Sequence, residues 1–97
     1  MFKVKWNHKE GWEAPRIIPF ESIEVDPRIE GLHYGVQGFE GMKAYRTKEG
    51  KVILFRPLEN FKRLLKTTKV LGLPEFDTQE LLKCLMKLCL IDREWIP

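Results

Sequence analysis

Among the residues able to do chemistry, Arg63 is the most informative. Between Pro57 and Gly72 the positions Leu58, Phe61, Leu64, Leu65, Thr68 and Leu71 fall on one stripe at helical spacing, centred on Phe61, Leu65 and Thr68. Arg63 projects to nearly the opposite side, so it lies outside that helix's core. Lys62, Lys66 and Lys69 form a cationic flank beside it. Two readings follow. One is a solvated face. The other is an anion site near the first turns of the helix, where the positive end of the dipole and a guanidinium fork both favour a phosphate.

The remaining candidates are thinner. Glu40 is either a general base or a salt-bridged strand residue. The glycines at 35, 38 and 41 in Gly-Val-Gln-Gly-Phe-Glu-Gly suit a tight turn or bulge better than a ligand contact. His33 and Tyr34 are either a polar handle at a pocket mouth or a packed corner. No P-loop or dinucleotide-type glycine loop is present, nor a nucleophile elbow or an HExxH. Cys84 and Cys89, five apart in a helical segment, point about 140° from each other and are poorly placed to bond. With no CxxC and with His8 and His33 distant in sequence, no metal ligand set is expected. The expectation is two reduced, partly buried thiols in an intracellular protein.

The chain that must position these groups has 97 residues, 43% hydrophobic and 32% charged, the profile of one soluble globular domain. At that size a modest core is possible but a self-contained multi-substrate site is disfavoured. Seventeen Lys and Arg against 14 Asp and Glu leave a charge of +3. These charges are interspersed, without the basic tract of a nucleic-acid binder, and no nucleic-acid partner is expected. No apolar run approaches the roughly 18 residues of a membrane span, and Met1-Phe2-Lys3-Val4-Lys5-Trp6 lacks a signal-peptide block.

Phe2, Val4 and Trp6 alternate with polar residues as in a half-buried strand, and His8-Lys9-Glu10-Gly11 reads as a turn. From Arg16 to Val25, interrupted by Pro19, edge strands or irregular extended chain are expected, closed by Asp26-Pro27. Phe39 to Arg46 and Val52 to Arg56 form a β-hairpin over a loop that contains Gly50. A helix opens at Pro57 and ends at Gly72 and Pro74. A second begins at Asp77-Thr78-Gln79-Glu80, with Asp77 as cap, Glu80 reaching back, and Leu81, Leu82, Leu85, Leu88 and Cys89 as its apolar face. Trp95-Ile96-Pro97 gives the chain the look of one cut rather than finished.

Four pieces occur in order: Gly31-Leu32-His33-Tyr34-Gly35, then Phe39-Glu40-Gly41-Met42-Lys43-Ala44-Tyr45-Arg46, then Leu54-Phe55-Arg56-Pro57, then Asn60-Phe61-Lys62-Arg63-Leu64. This order resembles the small domain of branched-chain amino acid aminotransferases, the fold-type IV enzymes that use pyridoxal 5′-phosphate. Val4-Lys5-Trp6, Gly11-Trp12, Leu73-Pro74-Glu75-Phe76-Asp77 and Glu94-Trp95-Ile96-Pro97 extend the likeness to longer, eukaryotic-style members, so that it covers almost the whole chain. Lys66-Thr67-Thr68 departs from an Arg-Ser-Ala type sequence, and Gly38 stands where a larger apolar residue is usual.

The resemblance implies an α+β fold, antiparallel strands followed by two helices, as one partial domain over residues 1–97 that stops before the large, lysine-bearing domain. It implies that Arg63 grips the cofactor phosphate, that Phe39 is an aromatic wall of the substrate side-chain pocket, and that Tyr34 closes that pocket from the neighbouring subunit of a homodimer. None of the 11 lysines falls in the family's Schiff-base context, so no catalytic residue is assigned. The complete enzyme would transfer an amino group from leucine, isoleucine or valine to 2-oxoglutarate, with this portion inactive alone. The alternative is a truncated product that acts only by binding an aminotransferase subunit. A cytoplasmic location is expected, with a mitochondrial one as the alternative.

Overall fold

The computed structural model describes all of residues 1–97. Strand pairs come first and helices last: β1 (Phe2–Lys3), β2 (Trp6–Asn7), β3 (Gly11–Trp12), β4 (Arg16–Ile17), α1 (Glu30–His33), β5 (Ala44–Arg46), β6 (Val52–Leu54), α2 (Pro57–Leu71) and α3 (Thr78–Ile91), then a single 3-10 turn at Arg93–Trp95. The fold is α+β. Its strands form three separate antiparallel pairs, β1 with β4, β2 with β3 and β5 with β6.

The alternation at the start does not make one strand. Phe2 faces Ile17 in one pair while Trp6 faces Trp12 in another, with Val4 and Lys5 outside both. The turn between β2 and β3 is set by Asn7, whose side-chain oxygen accepts from the amides of Lys9 and Glu10 at 3.0 and 2.9 Å, an Asx-type turn. Residues 18–25 are irregular, as Pro19 dictates. The short helix α1 has no counterpart in the apolar pattern. Polar contacts hold the approach to it: Asp26 accepts from the Arg28 amide and guanidinium, and His33 Nε2 lies 2.5 Å from the Pro27 carbonyl oxygen. That oxygen can only accept, so Nε2 carries the proton.

The central hairpin is shorter than its sequence suggests, since β5 begins at Ala44 rather than Phe39 and β6 ends at Leu54 rather than Arg56. Residues 39–41 leave the ladder because Glu40 and the Gly41 carbonyl are bonded to α2 instead. The turn itself is as expected, with Thr47 N–H donating to Lys51 O at 2.8 Å and Gly50 at φ +80°, where an L side chain would be strained.

α2 opens with Pro57 in its first turn and closes at Gly72 in the left-handed conformation, where Leu73 N–H reaches back to Thr68 O at 2.8 Å. Asp77 caps α3 through Gln79 N and Glu80 N at 2.8 and 3.0 Å. Glu80 does not complete the box: its carboxylate takes Lys83 one turn on, at 2.6 Å. Both cysteines are free and half-buried on α3. Burial, then the charge of Asp92, raises the Cys89 thiol above its ordinary pKa.

α2 and α3 pack against each other, and β1 lies against α3. The core is smaller than composition suggests: Phe61 and Thr68 alone are buried, at 6% and 8% exposure. Thr68 tolerates burial because its hydroxyl donates to Leu65 O at 2.8 Å. The chain exposes 8189 Å². A compact monomer of its mass exposes about 5,800 Å². Phe20, Tyr34, Phe39, Phe55 and Trp95 are each more than four-fifths exposed.

Candidate functional site

The site is built where the segment before the hairpin crosses the start of α2. Asn60, in the first turn of α2, donates from Nδ2 to Glu40 Oε1 at 2.9 Å and to Gly41 O at 2.8 Å. Arg63, three residues on and therefore on the same face, donates from Nε to Glu40 Oε2 at 3.1 Å and from Nη2 to Glu40 Oε1 at 2.6 Å. The pairing is fork to fork. Glu40 retains 14% side-chain exposure while Arg63 retains 62%, so the carboxylate is embedded and the guanidinium faces outward.

The charges respond accordingly. Hydrogen bonds from Arg63, then from Asn60, hold the Glu40 carboxyl below the usual carboxylate range, and its partner raises Arg63 in turn. An ionised carboxylate whose lone pairs are engaged in this way is a poor proton acceptor. The general-base reading of Glu40 therefore gives way to the salt-bridge reading, although Glu40 lies outside the strand.

Beside the pair lies an open recess of about 370 Å³ whose lining includes Lys43, Tyr45, Phe55, Arg56, Asn60 and Arg63. Glu59 also lines it, but its carboxylate is occupied by Lys62 at 2.9 Å. Three cations, a phenol and an exposed aromatic face are a donor set suited to a phosphate with an attached ring. Arg56, one of the lining residues, has φ +47°, the sole non-glycine residue at positive φ.

Phe39 does not line the recess but neighbours a residue that does. Its ring lies 3.8 Å from where a Cβ on Gly41 would stand, and Gly41 is part of the lining. Tyr34 is not brought to this place. It follows α1, 81% exposed, with the His33 ring 6.5 Å away between centroids. The glycine cluster divides its work: Gly38 lies under Leu64 and Thr67 of α2, where the segment crosses closely, while Gly41 faces the recess. Lys66 and Lys69 are exposed, as the solvated-flank reading has it.

Sequence reasoning missed Lys43, Arg56 and Asn60. Asn60 carried a usable signal, because it shares a helical face with Arg63 and lies within reach of whatever Arg63 holds. No group of three or more His, Cys, Asp or Glu side chains is placed to hold a metal ion, and no helix is long and apolar enough to cross a membrane.

The chain matches no protein-family model. Curated proteins do match it, and all of those most similar are aminotransferases, so the chain is related to that class. More narrowly, it is homologous over all 97 residues to branched-chain-amino-acid aminotransferases: 47% identical to the mitochondrial enzyme of Rattus norvegicus, 46% to the cytosolic enzyme of the same animal and 41% to that of Dictyostelium discoideum. The chain spans only about a quarter of the length of each, 25%, 24% and 26% respectively.

Proposed function

We propose that the chain is the α+β small-domain portion of a branched-chain amino acid transaminase, and that the complete protein exchanges an amino group between leucine, isoleucine or valine and 2-oxoglutarate. The observation that carries this reading is the 47% identity across every residue of the chain. The recess supports it, with a fixed arginine, two further cations and an aromatic edge on one opening.

In this reading Arg63, with Lys43 and Arg56 nearby, holds the phosphate of pyridoxal 5′-phosphate. When bound, that cofactor supplies the electron sink that lets the amino acid lose its Cα proton. The contribution of this chain is binding and orientation. Phe39 presents an apolar wall, the surface that a branched aliphatic side chain needs. In the same reading Tyr34 closes the substrate pocket from the neighbouring subunit of a homodimer, a role supported by its exposure and its absence from the lining of the recess. No lysine of this chain is assigned the covalent role, and the portion alone is expected to be inactive.

The test is a chimera in which this chain replaces the matching quarter of the rat mitochondrial enzyme. Transfer from leucine to 2-oxoglutarate is expected to persist, and Arg63→Ala in the chimera is expected to lose cofactor from an intact fold. Arg63→Lys should recover only part of the binding, because a point charge lacks the fork, and Lys66→Ala should bind nearly as the parent does. A folded chimera without leucine transamination overturns the reading. For the isolated chain, pyridoxal phosphate with leucine and 2-oxoglutarate is expected to yield no glutamate; a borohydride-trapped lysine adduct that also supports transfer overturns the inactivity.

A second reading is favoured by the total exposed surface, about 2,400 Å² above the compact-monomer expectation, and by the large apolar side chains left on it. It is that the chain acts by binding an aminotransferase subunit, which covers residues such as Phe20 and Trp95. Mixing the chain with the intact rat enzyme separates the two readings. A chain that stays monomeric and leaves the enzyme's activity untouched excludes this one.

A further inference from the structure

We propose that Glu40, held in turn by Asn60, is a positioning residue for Arg63: it fixes one edge of the guanidinium so that the remaining donors stand over the recess. The inference rests on the reading of Arg63 as the phosphate-binding arginine. The geometry is specific. Glu40 takes Nε and one Nη2 proton of Arg63, which leaves both Nη1 protons and the second Nη2 proton for an anion. Asn60 Nδ2 bridges Glu40 Oε1 and Gly41 O, so the carboxylate is tied both to α2 and to the segment that carries Phe39. Arg63 is 62% exposed, and without such an anchor a side chain of its length would sweep solvent and lose that freedom on each binding event.

Two physical effects oppose each other here, which makes the proposal testable by sign. As a negative charge, Glu40 repels an incoming phosphate, so Coulomb's law alone has its neutralisation tighten anion binding. As an anchor, it spares the cost of ordering Arg63, so its neutralisation weakens binding. The carboxylate is embedded, with its lone pairs already engaged, and does not line the recess, whereas Lys43 and Arg56 do. The anchor effect is therefore expected to win. The loss should be about two- to tenfold, the range for immobilising one rotamer-rich side chain.

The experiment uses the 97-residue chain, nitrogen-15 labelled, and inorganic phosphate as the probe. The Arg63 Nε–Hε resonance, assigned by its loss in Arg63→Lys, reports the anchor directly. It should exchange slowly with solvent in the parent and faster in Glu40→Gln and Asn60→Ala, while backbone shifts away from the site stay in place. Phosphate titrations should then show weaker binding in both variants. The Glu40→Gln/Asn60→Ala double variant should show little further loss, because the two act through one contact. An unchanged Arg63 resonance in Glu40→Gln overturns the proposal, as does phosphate binding equal to or tighter than the parent's. If Glu40→Gln perturbs the fold, Asn60→Ala alone decides by the same criteria. Arg63→Ala separates this idea from its premise: phosphate binding unaffected by Arg63→Ala sinks the phosphate reading, whereas binding lost in Arg63→Ala but tightened in Glu40→Gln sinks only the positioning role.

Discussion

The indole N–H of Trp12 donates to the carbonyl of Glu75 at 2.8 Å, across 63 residues of sequence. It ties the β2–β3 hairpin to the loop between α2 and α3, and so holds the N-terminal strands against the helix pair in a chain with almost no buried core. Trp12→Phe keeps most of the ring's contact and removes the donor. It should destabilise by about 0.5–1.5 kcal/mol, the net worth of one hydrogen bond. Trp12→Ala should cost more, since packing is lost as well. Urea unfolding of the two variants beside the parent measures both; a Trp12→Phe midpoint equal to the parent's rejects the tie.

The start of α3 gives a second, independent check. Asp77 accepts from two amides that the helix cannot satisfy itself, and Asp77→Ala should cost about 1 kcal/mol. Glu80→Ala should have a much smaller effect, because Glu80 holds Lys83 rather than the Asp77 amide. A complete capping box would make the two losses comparable, so thermal melts of both variants decide.

The elements with strong local punctuation were legible from residues alone. Pro57 and Gly72 bound α2, Asp77 opens α3, and Gly50 marks the hairpin turn, because each answers a backbone requirement that its neighbours do not alter. The failures are tertiary. Phe39 to Lys43 has the pattern of a strand, but Asn60 and Arg63 claim Glu40 and Gly41 and pull that segment off the ladder. Arg63's position off the apolar stripe was readable from helical spacing. Its partner was not, because Glu40 lies 23 residues away and no local period connects them. Lys43 and Arg56 enter the recess only through the fold, one before β5 and the other on a left-handed backbone.

The Glu40 carboxyl gives a pH prediction with a definite sign. Its pKa is depressed in the fold from an ordinary 4.5 by the hydrogen bonds of Arg63 and Asn60. Between the two values the unfolded chain binds more protons. The contribution is therefore present above about pH 4.5 and lost as pH falls through the depressed value. Asp26 and Glu59 are depressed too, so the whole acid slope does not belong to Glu40. The difference between parent and Glu40→Gln isolates it: stability measured by urea at steps from pH 7 to pH 3 should converge as the pH falls. Curves that remain parallel reject the assignment.

Arg56 carries the last prediction, because its backbone and its charge pull in opposite directions. It precedes α2 at φ +47° and ψ +54°, a left-handed conformation that costs an L-residue roughly 1–2 kcal/mol and glycine little. Glycine's larger unfolded-state entropy returns roughly 0.5–1 kcal/mol of that. Arg56→Gly should therefore unfold at or slightly above the parent's midpoint, while Arg56→Ala, which keeps the strain, should lie about 1 kcal/mol below Arg56→Gly. Both remove a cation from the recess and should weaken phosphate binding alike. The pairing of one stability difference with one shared binding loss separates backbone from charge. If Arg56→Ala is as stable as Arg56→Gly, the strain is absent; if neither variant changes phosphate binding, Arg56 does not face the anion, and its left-handed backbone serves only to turn the chain from β6 into α2.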